Sequence, residues 1–188
     1  MKIIAQLLGA IGIIIYVIMY HSKNVNNVLQ KKLGMDVVWA LHYFMIGGYT
    51  GCLTNVICCA REIVFMNNDK KIFKSRLWLL LFVALNWLSA ILMWRGVYSL
   101  LPALVSTLGS YSFWQKNITV TRGIALINNV LMFTYDIFVL SYMGMIGESL
   151  AFLSVLSAMA MAKTKKKIRI GDAHRVFDKK RYHTPISH

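Results

Sequence analysis

Residues 36–62, DVVWALHYFMIGGYTGCLTNVICCARE, decide how the chain is read. Two apolar runs meet here with only Gly47, Gly48, Tyr49, Thr50 and Gly51 between them. Inside the runs sit His42 and Asn55, with Asp36 and Glu62 near the ends. Such groups are costly in hydrocarbon, so a membrane segment that carries them turns them inward, and they mark a site. The stretch reads as a tight helical hairpin with its polar groups facing away from lipid.

The rest of the chain fits that reading. Of 188 residues, 57% are apolar, and the mean hydropathy is +0.56. A bilayer core takes about 20 helical residues per span. Seven spans follow, at about 3–20, 35–48, 50–66, 77–94, 97–114, 121–141 and 143–162, with 21–34 as a polar loop. The first run is too long for a signal peptide and lacks a small-x-small cleavage site, so it reads as a retained span. Gly9 and Gly12 give it a small face for close helix contact. Residues 1–162 form one polytopic membrane domain and 163–188 a basic tail. Cys52, Cys58 and Cys59 share one apolar run and read as packing residues, with no disulfide framework and no metal spacing.

A shift of 93 residues lays the chain on itself without a gap. Lys23-Asn24 falls on Lys116-Asn117, Tyr49 and Gly51 on Tyr142 and Gly144, and Asn55 on Glu148. Identity is only 10 of the 60 pairs from 7 to 66, but the matches fall on turns and on polar intramembrane positions. The expected fold is all-α: two parallel three-helix repeats (about 3–66 and 97–162) joined by a linker helix at 77–94. With seven spans, 19 of the 21 basic residues fall on one side, leaving Lys2 and Arg95 on the other. The positive-inside rule then puts the N-terminus outside and the tail in the cytoplasm.

Asp36, Trp39 and Tyr43 share one helix face, and the shift places them on Asn129, Met132 and Asp136. If both faces meet, they enclose a path lined by Trp39, Tyr43, Asn55, Met132, Asp136 and Glu148, with His42 close by. Plainer roles stand beside this one. Trp39 also suits an interfacial anchor, Asp36 a helix cap, His42 and Asn55 interhelical hydrogen bonds, and Tyr43 and Met132 packing. Asp136 and Glu148 are harder to explain structurally. No Lys or Arg lies inside the runs beside them, which leaves water, a cation, a proton or His42 as partner.

The hairpin ALHYFMIGGYTGCLTNVICCAREIVF resembles the YgjV-type bacterial inner-membrane family over about residues 5–162. The three-one-three pattern is also similar to the SWEET and PQ-loop (MtN3-like) superfamily. That resemblance implies alternating access, a small solute bound at the repeat interface, and a location in the bacterial inner membrane. It also implies solute contacts for a Trp on the second helix and an Asn on the third, the positions of Trp39 and Asn55. The second repeat departs, with Met132 and Glu148, and there is no Pro-Gln pair. An acid in place of an amide suits a cationic, zwitterionic or proton-coupled substrate better than a sugar. Gly9 and Pro102 are the expected gating positions. No cofactor, metal or nucleic-acid partner is expected. Lipid and a small polar solute are, and homo-oligomerisation stays open. The tail runs KTKKKIR and DKKR read as a topology anchor or a contact for anionic headgroups. Without HExxH, GxSxG or a nucleophile–base pair, the chain does not read as an enzyme. The rival reading is a receptor or assembly protein of the same fold.

Overall fold

The structure is a computed structural model describing the backbone of residues 2–182 and the side chains of 4–164. Among the described residues there are seven α-helices and no strand. They are α1 (Lys2–Met19), α2 (Val25–Ile46), α3 (Tyr49–Met66), α4 (Leu77–Leu92), α5 (Leu100–Trp114), α6 (Ile118–Phe138) and α7 (Tyr142–Tyr182). A 3-10 turn at Val97–Ser99 leads into α5.

Local sequence explains the boundaries. Asn24 caps α2 by accepting the backbone N–H of Asn27, and Asn117 caps α6 by accepting those of Thr119 and Val120. Between α2 and α3, Gly47 takes φ +80° as the C-cap of α2, a left-handed conformation that costs glycine nothing. Gly48 then opens α3.

One expectation is corrected. Residues 25–34 are not loop; α2 begins at Val25, ten residues before the apolar run does. The charges that suggest a loop are absorbed locally. Lys31 reaches the Ile18 carbonyl and the Ser22 hydroxyl, and Lys32 pairs with Asp36 one turn on at 2.6 Å. Asp36 is therefore mid-helix, and the cap is Asn24. At the other end of the chain, α7 continues unbroken through Ala162 to Tyr182. The contacts expected of the basic tail lie outside the described residues.

Six helices close into a ring in the order α1, α2, α3, α5, α6, α7, with α7 returning to α1. The α4 helix stands outside, against α3 and α5. Successive helices alternate in direction, so connections gather at two ends. At one end, Arg95 between α4 and α5 donates to the Gly47 carbonyl and stacks over Tyr49 at 4.8 Å. At the other end, Arg122 of α6 donates to the carbonyls of Tyr20 and Ser22, and Lys116 meets Asp69. These are called the Arg95 end and the basic end.

The distribution of polarity is inverted relative to a water-soluble core. Ile4, Leu7, Ile11, Ile14 and Ile18 line the outer face of α1, and Leu77, Leu80, Leu88 and Ile91 that of α4. Buried inside are Asp36, His42, Arg61, Glu62, Asn86, Asn129, Asp136 and Glu148. A helix that shows lipid its apolar face can afford polar groups on the other. Among the described residues, length and mean hydropathy together mark one helix, Tyr142–Thr164, as long and apolar enough to span a membrane, with Ile4–Met19 and Leu77–Leu92 as shorter apolar helices.

Candidate functional site

The ring encloses a cavity of about 80 Å³, room for several water molecules. All six ring helices contribute to its wall. Of the residues singled out in sequence, it brings together Trp39, Tyr43, Asn55, Met132, Glu148 and Pro102. Asp136 lies just beyond, held by Tyr43, and His42 and Gly9 stand off the cavity altogether.

Trp39 is fixed by what flanks it. Its indole lies against Gly12 of α1 and Gly147 of α7, where a Cβ would come within 3.0–3.3 Å of the ring. It also packs on Tyr43 at 5.7 Å between ring centroids. The small residues at 12 and 147 thus let one large aromatic side chain sit between three helices. Asn55 turns its amide back to the Gly51 carbonyl at 2.7 Å, leaving its carbonyl oxygen without a partner among the described residues. Pro102 is in the first turn of α5, where a missing N–H removes no helix bond. It therefore shapes the cavity wall without bending the helix.

Glu148 is the centre of the site. It is 7% exposed and sits two turns into α7. The Tyr16 hydroxyl donates to its Oε2 at 3.1 Å. The Asn129 amide, with its nitrogen turned inward, donates to Tyr16 Oη at 2.8 Å and to Glu148 Oε2 at 3.2 Å. That orientation lets the single tyrosine proton go to the carboxylate. Glu148 Oε1 receives no donor among the described residues, and no Lys or Arg pairs with this carboxyl there.

Towards the basic end the wall is charged, which the sequence reading did not anticipate. Lys32, half-buried, and Arg61, buried, both line the cavity, so cations do reach it after all. Each is already matched. Lys32 pairs with Asp36, and Arg61, 1% exposed, pairs with Glu62 at 2.7 Å. Arg61 also donates to the Ser106 carbonyl and to the hydroxyls of Ser106 and Ser110 across on α5. Asp36 Oδ2, Thr54 Oγ1 and Arg61 Nε remain unpartnered and buried. The signals were present as Lys32 and Asp36 four residues apart and as Ser106 and Ser110 on one face of α5.

Towards the Arg95 end the contacts are hydrogen bonds. Tyr43 donates to Asp136 Oδ1 at 2.7 Å. Tyr135 Oη accepts the backbone N–H of Gly51, and Ser141 Oγ accepts that of Gly144. His42 bridges the Ala5 carbonyl and Ser141 Oγ. Gly9 packs against Met143 and His42, and a side chain at Gly144 would collide with the Asp136 carboxyl. His42 is thus a brace between α1, α2 and the start of α7 and touches no carboxyl.

The arrangement sets a carboxyl with no cationic partner among the described residues, an aromatic pair and a set of amide and hydroxyl groups around a space the size of a few waters. The described residues contain no cluster of metal-ligating side chains. A family model described as a bacterial inner membrane protein, Imp-YgjV, matches residues 3–166. No curated protein and no solved structure matches the chain.

Proposed function

The chain belongs to the Imp-YgjV family of bacterial inner membrane proteins, and we propose on that premise that it carries a small polar solute by alternating access. In this reading α1–α3 and α5–α7 are two parallel repeats, α4 is the linker, and all seven helices span the bilayer. The Arg95 end faces out, and the basic end with the C-terminus faces the cytoplasm. The carrying observation is the cavity shared by both triples, with Glu148 uncompensated in its wall. Trp39, Tyr43, Asn55 and Met132 contact the solute, and Glu148 and Asp136 set charge selectivity or bind a proton.

Three pairs of positions 93 apart support the repeat. Asn24 and Asn117 cap corresponding helices. Tyr43 and Asp136 touch each other, as residues on corresponding helices do when they meet at a pseudo-twofold axis. His42 and Tyr135 each brace the start of the opposite triple's third helix, α7 and α3 respectively. The contact of α1 with α7 likewise corresponds to that of α5 with α3.

The test is a thermal-stability screen of the purified protein against sugars, amino acids, nucleosides, vitamins and amines, followed by flux into proteoliposomes. A ligand at a hundred times its Kd raises stability by about 2.7 kcal/mol. The expected result is a shift from one chemical class, lost in Asn55→Ala and Glu148→Gln, with matching loss of uptake. Uptake untouched in both Asp136→Asn and Glu148→Gln would sink the assignment of the two acids.

One observation favours the receptor or assembly reading. The α7 helix continues 18 residues past Thr164, about 27 Å of helix available to a protein partner. Truncation after Ala162 separates the two readings. A carrier keeps its flux, and a tail-dependent partner loses its contact.

A further inference from the structure

The two oxygens of the Glu148 carboxyl are treated unequally. With its nitrogen turned inward, Asn129 gives its carbonyl oxygen to the Phe152 N–H at 3.0 Å and its amide to Tyr16 Oη and Glu148 Oε2. Tyr16 Oη, already accepting, has one proton left and donates it to the same Oε2 at 3.1 Å. Oε2 thus receives two donors, and Oε1 receives none among the described residues. An ionised carboxylate only accepts, at both oxygens, whereas a neutral carboxyl accepts at its carbonyl and donates from its hydroxyl. The unequal set matches the neutral form, with Oε2 as the carbonyl and Oε1 as the hydroxyl.

The charges around the cavity lead to the same form. On α2 and α3, Lys32 is matched by Asp36 and Arg61 by Glu62. The phenols of Tyr16, Tyr20 and Tyr43 and the Cys58 thiol add no charge at neutral pH. The wall residues of α5 and α6 include no ionisable side chain. A negative charge on Glu148 would therefore face no free counter-charge, in a space of about 80 Å³, and a buried group so placed takes up a proton. Asp136 also lacks a cation among the described residues, but it does not line the cavity, and Tyr43 covers its Oδ1.

We propose that Glu148 is the proton-binding residue of the central cavity, neutral while the cavity is closed and ionised once it opens to water. On opening, the Oε1–H bond breaks, the proton passes to water as hydronium, and the electron pair stays on the carboxylate. Closure reverses the step. Tyr16 and Asn129 are positioning residues that occupy Oε2 and leave Oε1 as the exchanging oxygen. This rests on the reading of Glu148 as an acid of the carrier and deepens it: of the two acids, Glu148 carries the proton that links opening to pH.

The test is infrared spectroscopy of the full chain in dodecyl maltoside, which has no ester carbonyl, in H2O and D2O across a pH titration. A neutral carboxyl shows a C=O stretch that an ionised one lacks and that shifts on deuteration. The expected result is such a band at neutral pH, kept in Asp136→Asn, lost in Glu148→Gln, and fading as the pH is raised. Tyr16→Phe removes one donor to Oε2 and should move the band to higher frequency without erasing it. A spectrum left unchanged by Glu148→Gln overturns the proposal, as does a band lost in Asp136→Asn instead. An unmoved band in Tyr16→Phe overturns the assignment of Oε2 as the carbonyl, and this arm stands even where Glu148→Gln does not fold. The measurement uses no solute, so the carrier function fails separately, through unchanged solute uptake in Glu148→Gln and Asp136→Asn.

Discussion

The cavity is closed by different chemistry at its two ends. Towards the basic end stand two ion pairs, the part-buried Lys32–Asp36 and the fully buried Arg61–Glu62, and Arg61 ties α3 to α5 through Ser106 and Ser110. Towards the Arg95 end, the buried crossing contacts are Tyr43 to Asp136, His42 to Ser141 and Tyr135 to the Gly51 amide, and the one cation, Arg95, reaches the Gly47 carbonyl at the exposed surface. Each pair lies within one helix, so parting the helices breaks instead the hydrogen bonds of the Arg61 guanidinium to α5, and bonds to a charged group are about twice as strong as neutral ones. A hydrogen bond between helices in a membrane is worth about 0.6 kcal/mol on average, because the separated groups find other partners. The comparison makes the Arg95 end the easier one to open, and the Arg61 clasp on α5 the contact that holds the ring at the basic end.

The largest expected effect follows directly. Arg61→Met strands the Glu62 carboxylate and removes the clasp on Ser106 and Ser110, and it should destabilise the protein by about 3–5 kcal/mol, read as a fall in the thermal unfolding midpoint in detergent. The paired change Arg61→Met with Glu62→Leu should recover most of that loss, since well-packed apolar residues replace a buried pair at little cost. Equal damage from single and double variants would mean that the serine contacts matter more than the ion pair.

An intermediate effect belongs to Tyr43→Phe. It removes the donor to Asp136 Oδ1, and Asp136 Oδ2 is already without a partner. The cost should be about 1–2 kcal/mol. Because Tyr43 meets Asp136 where the two triples face each other, the same variant should raise cysteine-probe accessibility from the Arg95 side. A midpoint shift as large as that of Arg61→Met would erase the contrast between the ends.

How far the sequence reveals this depends on where a signal is local. The turn at Gly47 and Gly48 is legible because backbone chemistry alone demands it. The meeting of Trp39, Tyr43, Asn55, Met132 and Glu148 in one wall is legible from helix spacing and the shift of 93. Lys32 and Arg61 mislead because a charge beside an apolar run looks like the end of a span. Their burial is settled by partners on other turns or other helices, Asp36, Ser106 and Ser110, and hydropathy does not sum such pairs. Tyr16 is missed for the opposite reason. In an isoleucine-rich run it looks like packing, and only the approach of α7 gives its hydroxyl a carboxylate to hold.

The smallest effect tests whether burial, and not charge as such, separates the ends. Lys116 and Asp69 form an ion pair at 3.3 Å at the basic end, between the α3–α4 and α5–α6 connections. Asp69 is 82% exposed, so water and salt screen the pair, and exposed pairs contribute about 0–1 kcal/mol. Asp69→Ala should therefore move the unfolding midpoint no further than added salt moves that of the unaltered protein. If this loop pair proved as costly to remove as Arg61, the strength of the basic end would come from its loops and their fit. The cavity-lining pairs would then hold nothing that a neutral side chain could not, and the contrast between the two ends would have to be redrawn around the connections.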